Sequence, residues 1–304
     1  MAKKLNRPSA GKGKTGPGKS KKGNFDKFMG PKSNPKAEKK NDRRRERELL
    51  KQENEARQRS PLVDEGPIRL NRYIALSGVC SRRQADELIS GGRIKVNGKV
   101  VSEMGMKIHP GRDTVLYDNR VLKVKKFVYL LMNKPKNHIS TTKDERGRRT
   151  VMDLVRKYTK VRVVPVGRPD RNTTGLLLFT NDGELTAKLM HPSSRIPKIY
   201  YVRLDKEVSE EHLQALRDGV KLEDGVMKVD SVDYLDGIST QAVVEIHSGK
   251  NRIVRRMFEH FGYSVEALDR VKLGPLNKKG VPRGTCRMLN EKEVGWLKML
   301  GPGK

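Results

Sequence analysis

A single carboxylate in a short polar loop is the strongest candidate for chemistry in this sequence. Asp170 lies between two apolar segments, residues 161–166 and 176–179, whose β-branched and leucine-rich compositions predict strands. A loop held between two core strands mounts a reactive side chain rigidly. Gly167 and Gly175 bracket the loop and allow tight turns or close backbone approach to a ligand. Taken alone, an Asp in such a loop also fits a solvated surface turn.

The whole segment is much more specific than the carboxylate alone. Residues 167–183 read Gly-Arg-Pro-Asp-Arg-Asn-Thr-Thr-Gly-Leu-Leu-Leu-Phe-Thr-Asn-Asp-Gly. This pattern resembles the catalytic motif of the RsuA/RluB/RluE/RluF family of ribosomal RNA pseudouridine synthases, whose essential Asp matches Asp170. The family usually has Leu at the position of Pro169, which fixes φ and lacks an N–H. Arg168 and Arg171 place positive charge beside the acid, which favours its charged form.

A second segment, residues 198–202, resembles the family's Lys-x-Tyr strand. The match implies that Tyr200 is an active-site residue, on which a flipped uracil could stack and whose hydroxyl could take part in proton transfer. A tyrosine that packs in the core is the alternative interpretation of this residue by itself. The resemblance also implies that Arg168 contacts RNA or fills the space that the flipped base leaves.

A third segment, residues 249–258, resembles the family's basic motif at the start of a helix. Arg255 matches the cation that pairs with the catalytic Asp, so the resemblance implies that Arg255 orients the carboxylate. Many relatives have Gln where this chain has Ile253. Arg252 and Arg256 stand on the same predicted helix and are candidates for contacts with RNA phosphates.

The sequence suggests no cofactor and no metal. The six His are scattered without metal-ligand spacing, and no glycine-rich phosphate loop is present. The family resemblance implies an isomerisation that needs side chains alone, in which the uracil leaves its N1–C1′ bond and rejoins the sugar through C5. The carboxylate could attack C1′ or C6 or stabilise a charged sugar intermediate, and the sequence does not choose between these.

A small module precedes these motifs. Apolar residues at helical spacing over 68–76, and again over 82–89 after the candidate N-cap Ser81, predict two short helices. The Asn-Gly pair at 97–98 predicts a β-hairpin. This order resembles the S4 RNA-binding domain over about residues 67–113. Candidates for phosphate contacts, each of which could instead belong to a solvated face, are Arg72, Arg82, Arg83, Lys95 and Lys99.

The composition indicates a polyanionic partner. The 304 residues contain 66 Lys+Arg and 36 Asp+Glu, a formal net charge of +30, which favours nucleic acid. Residues 1–60 contain 20 Lys+Arg, 7 Asp+Glu and few apolar side chains, so we expect a disordered basic tail over residues 1–65. We interpret the tail as a non-specific RNA tether that acts through phosphate contacts, with a merely solubilising tail as the alternative.

The same sequence argues for the cytoplasm. No apolar run approaches the ~20 residues needed to span a bilayer, and the N-terminus lacks the apolar core of a signal peptide. Cys80 and Cys286 form neither a metal-type pair nor a disulfide framework, so we expect reduced thiols. We therefore expect a cytoplasmic protein without a membrane partner; binding to a membrane surface is a weaker alternative.

The expected architecture is α+β with three parts. They are the tail at residues 1–65, an S4-like domain at 66–122 and a pseudouridine synthase catalytic domain with a mainly antiparallel sheet at 123–304. Strand and helix patterns alternate along the last part, and the Asp-Gly pairs at 224–225 and 236–237 predict hairpins. We expect the protein to be a monomer.

The sequence also indicates a type within the family. Residues 251–258, 270–276 and 280–284 are most similar to the RluB type, which acts on large-subunit 23S ribosomal RNA. The RsuA type, which acts on small-subunit RNA, is the alternative within the family. A non-catalytic RNA-binding or ribosome-assembly factor is the alternative from another class. The expected partner is ribosomal RNA, free or in a ribosome assembly intermediate, and the sequence does not identify the uridine.

Overall fold

The computed structural model describes residues 44–45, 47–48, 50–52, 62 and 66–300. The predicted disordered tail therefore lies largely outside the described residues. Within it, the described positions between 44 and 52 are helical, and Arg44 Nε lies 3.1 Å from a carboxylate oxygen of Glu48 one turn along. No helix among the described residues is long and apolar enough to cross a membrane.

The first folded part, residues 66–122, combines two helices with short strands. Ser81 caps the second helix in a capping box with Gln84, as its position predicted. Asn97 and Gly98 take φ of 49° and 81°, which builds the predicted hairpin turn. The elements are β1 (Ile68–Arg69), α1 (Leu70–Leu76), α2 (Arg82–Ser90), β2 (Ile94–Val96), β3 (Lys99–Val101), β4 (Lys107–Ile108), β5 (Val115–Tyr117) and β6 (Arg120–Val121), with sheet orders β1-β4 and β3-β2-β5-β6.

The larger part is built on a nine-stranded sheet. Its main order is β13-β14-β10-β15-β9-β7-β17, with β16 on β15 and β8 on β9. Every pairing is antiparallel except that of β15 with β9, which confirms the predicted mainly antiparallel α+β fold. The nine strands are β7 (Tyr129–Lys134), β8 (Val164–Val166), β9 (Thr174–Thr180), β10 (Lys198–Leu204), β13 (Ser231–Leu235), β14 (Ile238–Ile246), β15 (Val265–Leu273), β16 (Leu276–Asn277) and β17 (Cys286–Met288). A separate two-stranded sheet consists of β11 (Val220–Leu222) and β12 (Gly225–Met227).

Helices cover both faces of this sheet. Alternate residues of β9 pack on opposite sides, Leu176 and Leu178 in one cluster and Leu177 and Phe179 in another, as the pleat of a strand requires. The strand is therefore buried on both faces, which explains its continuous apolar sequence. The helices are α3 (Val151–Val155), α4 (Gly183–Met190), α5 (Glu210–Asp218), α6 (Ile253–Glu259) and α7 (Glu291–Met299).

The basic helix α6 is shorter than its sequence pattern predicts. The basic sequence pattern predicts a helix from Asn251 to Phe261. Arg252 instead adopts a left-handed conformation with φ 47° and ψ 29°, and regular helix begins at Ile253. At the other end, Gly262 takes φ 75° and stops the helix before the predicted end at Phe261. Arg252, at this turn, lines the same cleft as Asp170.

Candidate active site

A deep cleft in the larger part contains Asp170. Its volume is about 890 Å³, and its side chains come from the loop before β9, from β10, from the β11–β12 hairpin and from the start of α6. Asp170 is partly buried, with a side chain 28% exposed. The cleft thus brings together all three sequence motifs, because Tyr200, Arg252 and Arg168 line it as well.

The cations beside the carboxylate come from α6 and from the residue that precedes it. Arg252 Nη1 lies 3.5 Å from Asp170 Oδ2, and Arg255 Nε lies 3.8 Å from the same oxygen. Among the described residues these are the ion-pair partners of Asp170; the exposed Arg168 and Arg171 do not form such pairs with it. We expected the sequence neighbours of Asp170 to supply the positive charge beside it. The charge that pairs with Asp170 instead comes from Arg252 and Arg255, because the fold places the start of α6 next to the loop.

Arg255 is held rigidly behind the carboxylate. Its side chain is 9% exposed, and Nη1 donates to the carbonyl of Val265 at 2.6 Å. Burial lowers the pKa of Arg255, as does the neighbouring Arg252, whereas Asp170 opposes the shift. Its buried Nε has no hydrogen-bond partner among the described residues and faces Asp170 at the longer distance of 3.8 Å. This arrangement can orient a negative charge at Asp170.

A buried lysine, in a segment whose sequence Asn-Lys-Pro predicts only a turn, holds the Asp170 loop. Lys134 is fully buried, and its ammonium donates to the carbonyls of Asp170 (3.0 Å), Arg171 (3.1 Å) and Thr173 (2.7 Å). Ser140 Oγ donates to the carbonyl of Pro169 at 3.0 Å. These bonds fix the backbone on both sides of the carboxylate, so the loop is preorganised.

Tyr200 lies between the cleft and the core, and its role in the active site stays a prediction. It lies on β10, lines the cleft and is only partly buried, while it also packs against the core cluster beneath. Lys198, two residues earlier, also lines the cleft and donates to the carbonyls of Ile196 (2.8 Å) and His247 (2.7 Å). Burial, and then the charge of Arg270, lowers the pKa of Lys198 to about 8.

An ionic cluster below the loop was not predicted either. Asp269, on β15, accepts from Thr174 Oγ1 at 2.5 Å and from Arg283 Nη1 at 2.7 Å, and it also accepts from Lys278. Burial raises the pKa of Asp269, but the hydrogen bonds from Lys278, Thr174 and Arg283 outweigh it and leave that pKa below its usual range. The cluster ties the start of β9 to the C-terminal strands.

The predicted RNA contacts have different surroundings. Arg256 forms two hydrogen bonds to Asp224, at 2.9 and 3.1 Å, and Arg72 Nη1 pairs with Glu184 at 2.7 Å. Arg82 donates to Asn71 at 3.3 Å and Lys95 to Asn119 at 3.0 Å. Arg83 and Lys99 are exposed, as is Arg168. Contact of these seven cations and Arg252 with RNA stays a prediction.

Among the described residues, no group of three or more His, Cys, Asp or Glu side chains is arranged to hold a metal ion. Cys286 is buried, which raises the pKa of its thiol to about 12, and Cys80 is partly exposed; both are free thiols.

Comparison with known proteins identifies the family of the chain. A sequence profile of RNA pseudouridylate synthases matches residues 128–260, which include Asp170, Tyr200 and Arg255, and a profile of the S4 domain matches residues 68–113. The chain resembles a crystal structure of a pseudouridylate synthase with a TM-score of 0.54 and 25% identity, covering 76% of this chain and 99% of that one.

Curated relatives have the same activity in their names. The chain is 40% identical over 236 residues to the ribosomal large subunit pseudouridine synthase B of Bacillus subtilis, covering 76% of this chain and 96% of that protein. It is 40% identical over 241 residues to the enzyme of the same name from Vibrio cholerae, covering 76% of this chain and 74% of that protein. The chain therefore belongs to the RNA pseudouridine synthase family, and it is an isomerase that acts on RNA and carries an S4 domain.

Replacing Lys134 by Met should lower turnover about 100-fold or more. Three loop carbonyls around Asp170 lose their donor in this variant, and a misplacement of about 1 Å at a reacting group can cost that much. The matched control is Lys136→Met, because Lys136 is exposed and two residues away. Single-turnover pseudouridine formation by both variants measures the effect. Equal rates for the two variants would show that the ammonium does not position the loop.

Lys134 should also give the protein a pH-dependent stability. Burial, partly opposed by the charge of Asp170, lowers the pKa of Lys134 from 10.5 to about 8. Between these two values the unfolded chain binds the proton and the folded protein does not, so the free energy of unfolding should rise with pH. Below pH 8 Lys134 is charged in the folded protein, so the free energy of unfolding is lowered by the full cost of burying that charge. The loss of the proton from Lys134 should raise the free energy of unfolding by at most about 3 kcal/mol.

Denaturant titrations at several pH values test this expectation. The wild-type protein should gain stability over Lys134→Met as the pH rises from 8 towards 10.5. The difference isolates Lys134, because Lys198 titrates in both proteins. A difference that stays constant over this range would contradict the lowered pKa.

Proposed function

We propose that this enzyme converts one uridine of large-subunit 23S ribosomal RNA to pseudouridine, with Asp170 as the catalytic carboxylate. The observation that carries the proposal is the position of Asp170, in a cleft of about 890 Å³ with two arginines within 4 Å of its Oδ2 atom. The large-subunit target is supported by the names of the relatives from Bacillus subtilis and Vibrio cholerae.

The carboxylate can serve the reaction in more than one way. The glycosidic N1–C1′ bond breaks, the uracil turns within the cleft, and a C5–C1′ bond forms while C5 gives up its proton and N1 takes one up. Asp170 can attack C1′ or C6 as a nucleophile, or stabilise a charged sugar intermediate. In each case the charge must be held in place, and we assign that role to Arg255, which is buried and bonded to the carbonyl of Val265.

The cleft can also lower the cost of exposing the base. Flipping a uridine from its stack costs a few kcal/mol, and stacking on an aromatic ring returns ~1–3 kcal/mol. Tyr200 lines the cleft on β10 and is the aromatic residue we assign to this contact, with its hydroxyl available for proton transfer at C5. Arg168 at the cleft is assigned to the RNA or to the space left in the stack.

The remaining parts are assigned to holding the RNA. We propose that the boundary between the S4 domain and the catalytic domain falls between β6, which ends at Val121, and β7, which begins at Tyr129. The basic N-terminal segment acts as an RNA tether in this proposal, and the enzyme works as a monomer in the cytoplasm on free ribosomal RNA or an assembly intermediate.

Tritium release from labelled RNA tests the target. Large-subunit and small-subunit transcripts carrying tritium at C5 of uridine are incubated separately with the enzyme, without cofactor. We expect about one tritium per large-subunit molecule and none from the small-subunit RNA. Release only from the small-subunit RNA would transfer the assignment to the alternative type. Release from neither transcript, but from a partly assembled large subunit, would place the substrate in the assembly intermediate.

A further inference from the structure

A second cleft, separate from the one that holds Asp170, lies where the S4 domain meets the catalytic domain. Its volume is about 1040 Å³. One wall is the start of α2, residues 81–84, and the other is formed by residues 142–143 and 152–163. We call it the junction groove. Six cations line it, from both domains: Arg82, Arg83, Lys143, Arg156, Lys160 and Arg162.

The charge of the junction groove is not neutralised within it. None of its lining side chains among the described residues is Asp or Glu. Arg156 Nη1 lies 3.8 Å from the carboxylate of Asp153, which is outside the groove lining. That carboxylate already accepts a hydrogen bond from the backbone N–H of Thr150 at 2.8 Å. Arg156 remains 75% exposed, and Lys160 is exposed as well. The groove therefore presents a cluster of available positive charge.

Contacts between the domains hold the two walls together. Arg162 Nη1 donates to the carbonyl of Cys80 at 3.2 Å, next to the N-cap of α2. Arg72 of α1 pairs with Glu184 of α4 at 2.7 Å. These bonds use side chains of one domain and groups of the other, so the groove is a feature of the folded unit rather than of either domain alone.

The junction groove is connected to the loop that carries Asp170. Lys143 at its edge is three residues from Ser140, whose hydroxyl donates to the carbonyl of Pro169 at 3.0 Å. Three residues of extended chain span at most about 11 Å. The lining of the groove therefore lies within about 11 Å of a residue that contacts the Asp170 loop.

We propose that the junction groove binds the phosphate backbone of the RNA strand that flanks the modified uridine. It contains cations and hydroxyl and amide groups, but no aromatic ring among its described lining residues. Proteins that hold bases in such grooves stack them on aromatic side chains, whereas cations alone contact phosphates. The groove thus adds affinity for RNA without selecting a nucleotide sequence. The inference rests on the proposed function only for the identity of the ribosomal RNA that is bound.

The test removes two groove cations from the full-length protein. Arg156→Gln with Lys160→Gln is compared with Lys292→Gln and Lys298→Gln, an exposed pair that lines neither cleft. Binding of ribosomal RNA fragments is measured over a range of salt concentrations. The groove variant should show a slope of log affinity against log salt that is shallower by about 1.4, or ~0.7 for each phosphate lost. Its Kd at about 50 mM salt should rise about tenfold, with KM raised and kcat within twofold.

Three results would overturn the inference. The first is an equal slope in the groove variant and the control pair. The second is a fall in kcat with slope and KM unchanged, which would make the groove structural. The third is an unchanged slope for RNA with weaker binding to phosphatidylserine vesicles, which would assign the groove to an anionic lipid surface. The binding measurement is made on fragments of both ribosomal RNAs and needs no turnover, so failure of this inference is separable from failure of the proposed target.

Discussion

Replacing Asp170 by Asn is expected to reduce pseudouridine formation by a factor of about 10³ or more while the fold and RNA affinity are kept. The side chain keeps its size, but the amide can neither attack the sugar or the base nor balance a developing positive charge. The side chain is only partly buried, at 28% exposure, so the exchange should not destabilise the core. Single-turnover tritium release and filter binding measure the two quantities.

The control for this variant is Asp236→Asn. Asp236 is exposed in the β13–β14 hairpin with φ 50°, a conformation that Asn also tolerates, and it lies outside the cleft. It should retain wild-type rate and affinity. A rate for Asp170→Asn within tenfold of the control would remove Asp170 from the chemistry. A parallel loss of RNA binding would instead assign the carboxylate to substrate recognition.

Replacing Gly175 by Ala is expected to destabilise the protein by about 3 kcal/mol and to lower Tm by roughly 6–12 °C. A Cβ atom at this position would lie 2.2 Å from the carbonyl oxygen of Arg270 and 2.6 Å from its backbone nitrogen. The backbone there has φ +96°, which L-residues rarely adopt. The clash falls on the parallel pairing of β9 with β15, so one strand must move away.

The variant Gly284→Ala separates the two causes of the loss at Gly175, which are the steric clash and the strain of a positive φ. Gly284 has a similar φ of +82°, but a Cβ atom there would meet nothing within 4 Å. It should therefore show only the strain of the left-handed backbone, about 1 kcal/mol. Thermal and chemical unfolding of both variants give the comparison. Similar losses in the two variants would mean that β15 does not restrict Gly175 sterically.

Features determined by neighbouring residues could be predicted from the sequence. Ser81 and Gln84 are three residues apart and cap α2 together, and the Asn-Gly pair at 97–98 fits a two-residue hairpin turn. The loop of Asp170 could be located because two apolar strands flank it, and the mainly antiparallel sheet followed from many short strands with turn signals. The family match confirms that these motifs belong to a pseudouridine synthase.

Features that depend on distant parts of the chain could not be predicted. Lys134 reads as a turn residue before Pro135, and only the folded chain shows its ammonium beneath the Asp170 loop. The need for Gly175 is visible only once Arg270, 95 residues later, lies against it. Nothing in the basic motif indicates that Arg252 turns left-handed and approaches the carboxylate. Each of these three features depends on contacts between residues far apart in the chain, which local sequence patterns do not reveal.

The most direct test of this account maps pseudouridine in large-subunit ribosomal RNA after treatment with wild-type protein and with Asp170→Asn. Carbodiimide labelling followed by primer extension locates each modified position. We expect a single new stop with the wild-type protein and none with the variant, although both bind the RNA. A stop of equal strength with Asp170→Asn would contradict it, because the carboxylate in the cleft would then not be required for the reaction.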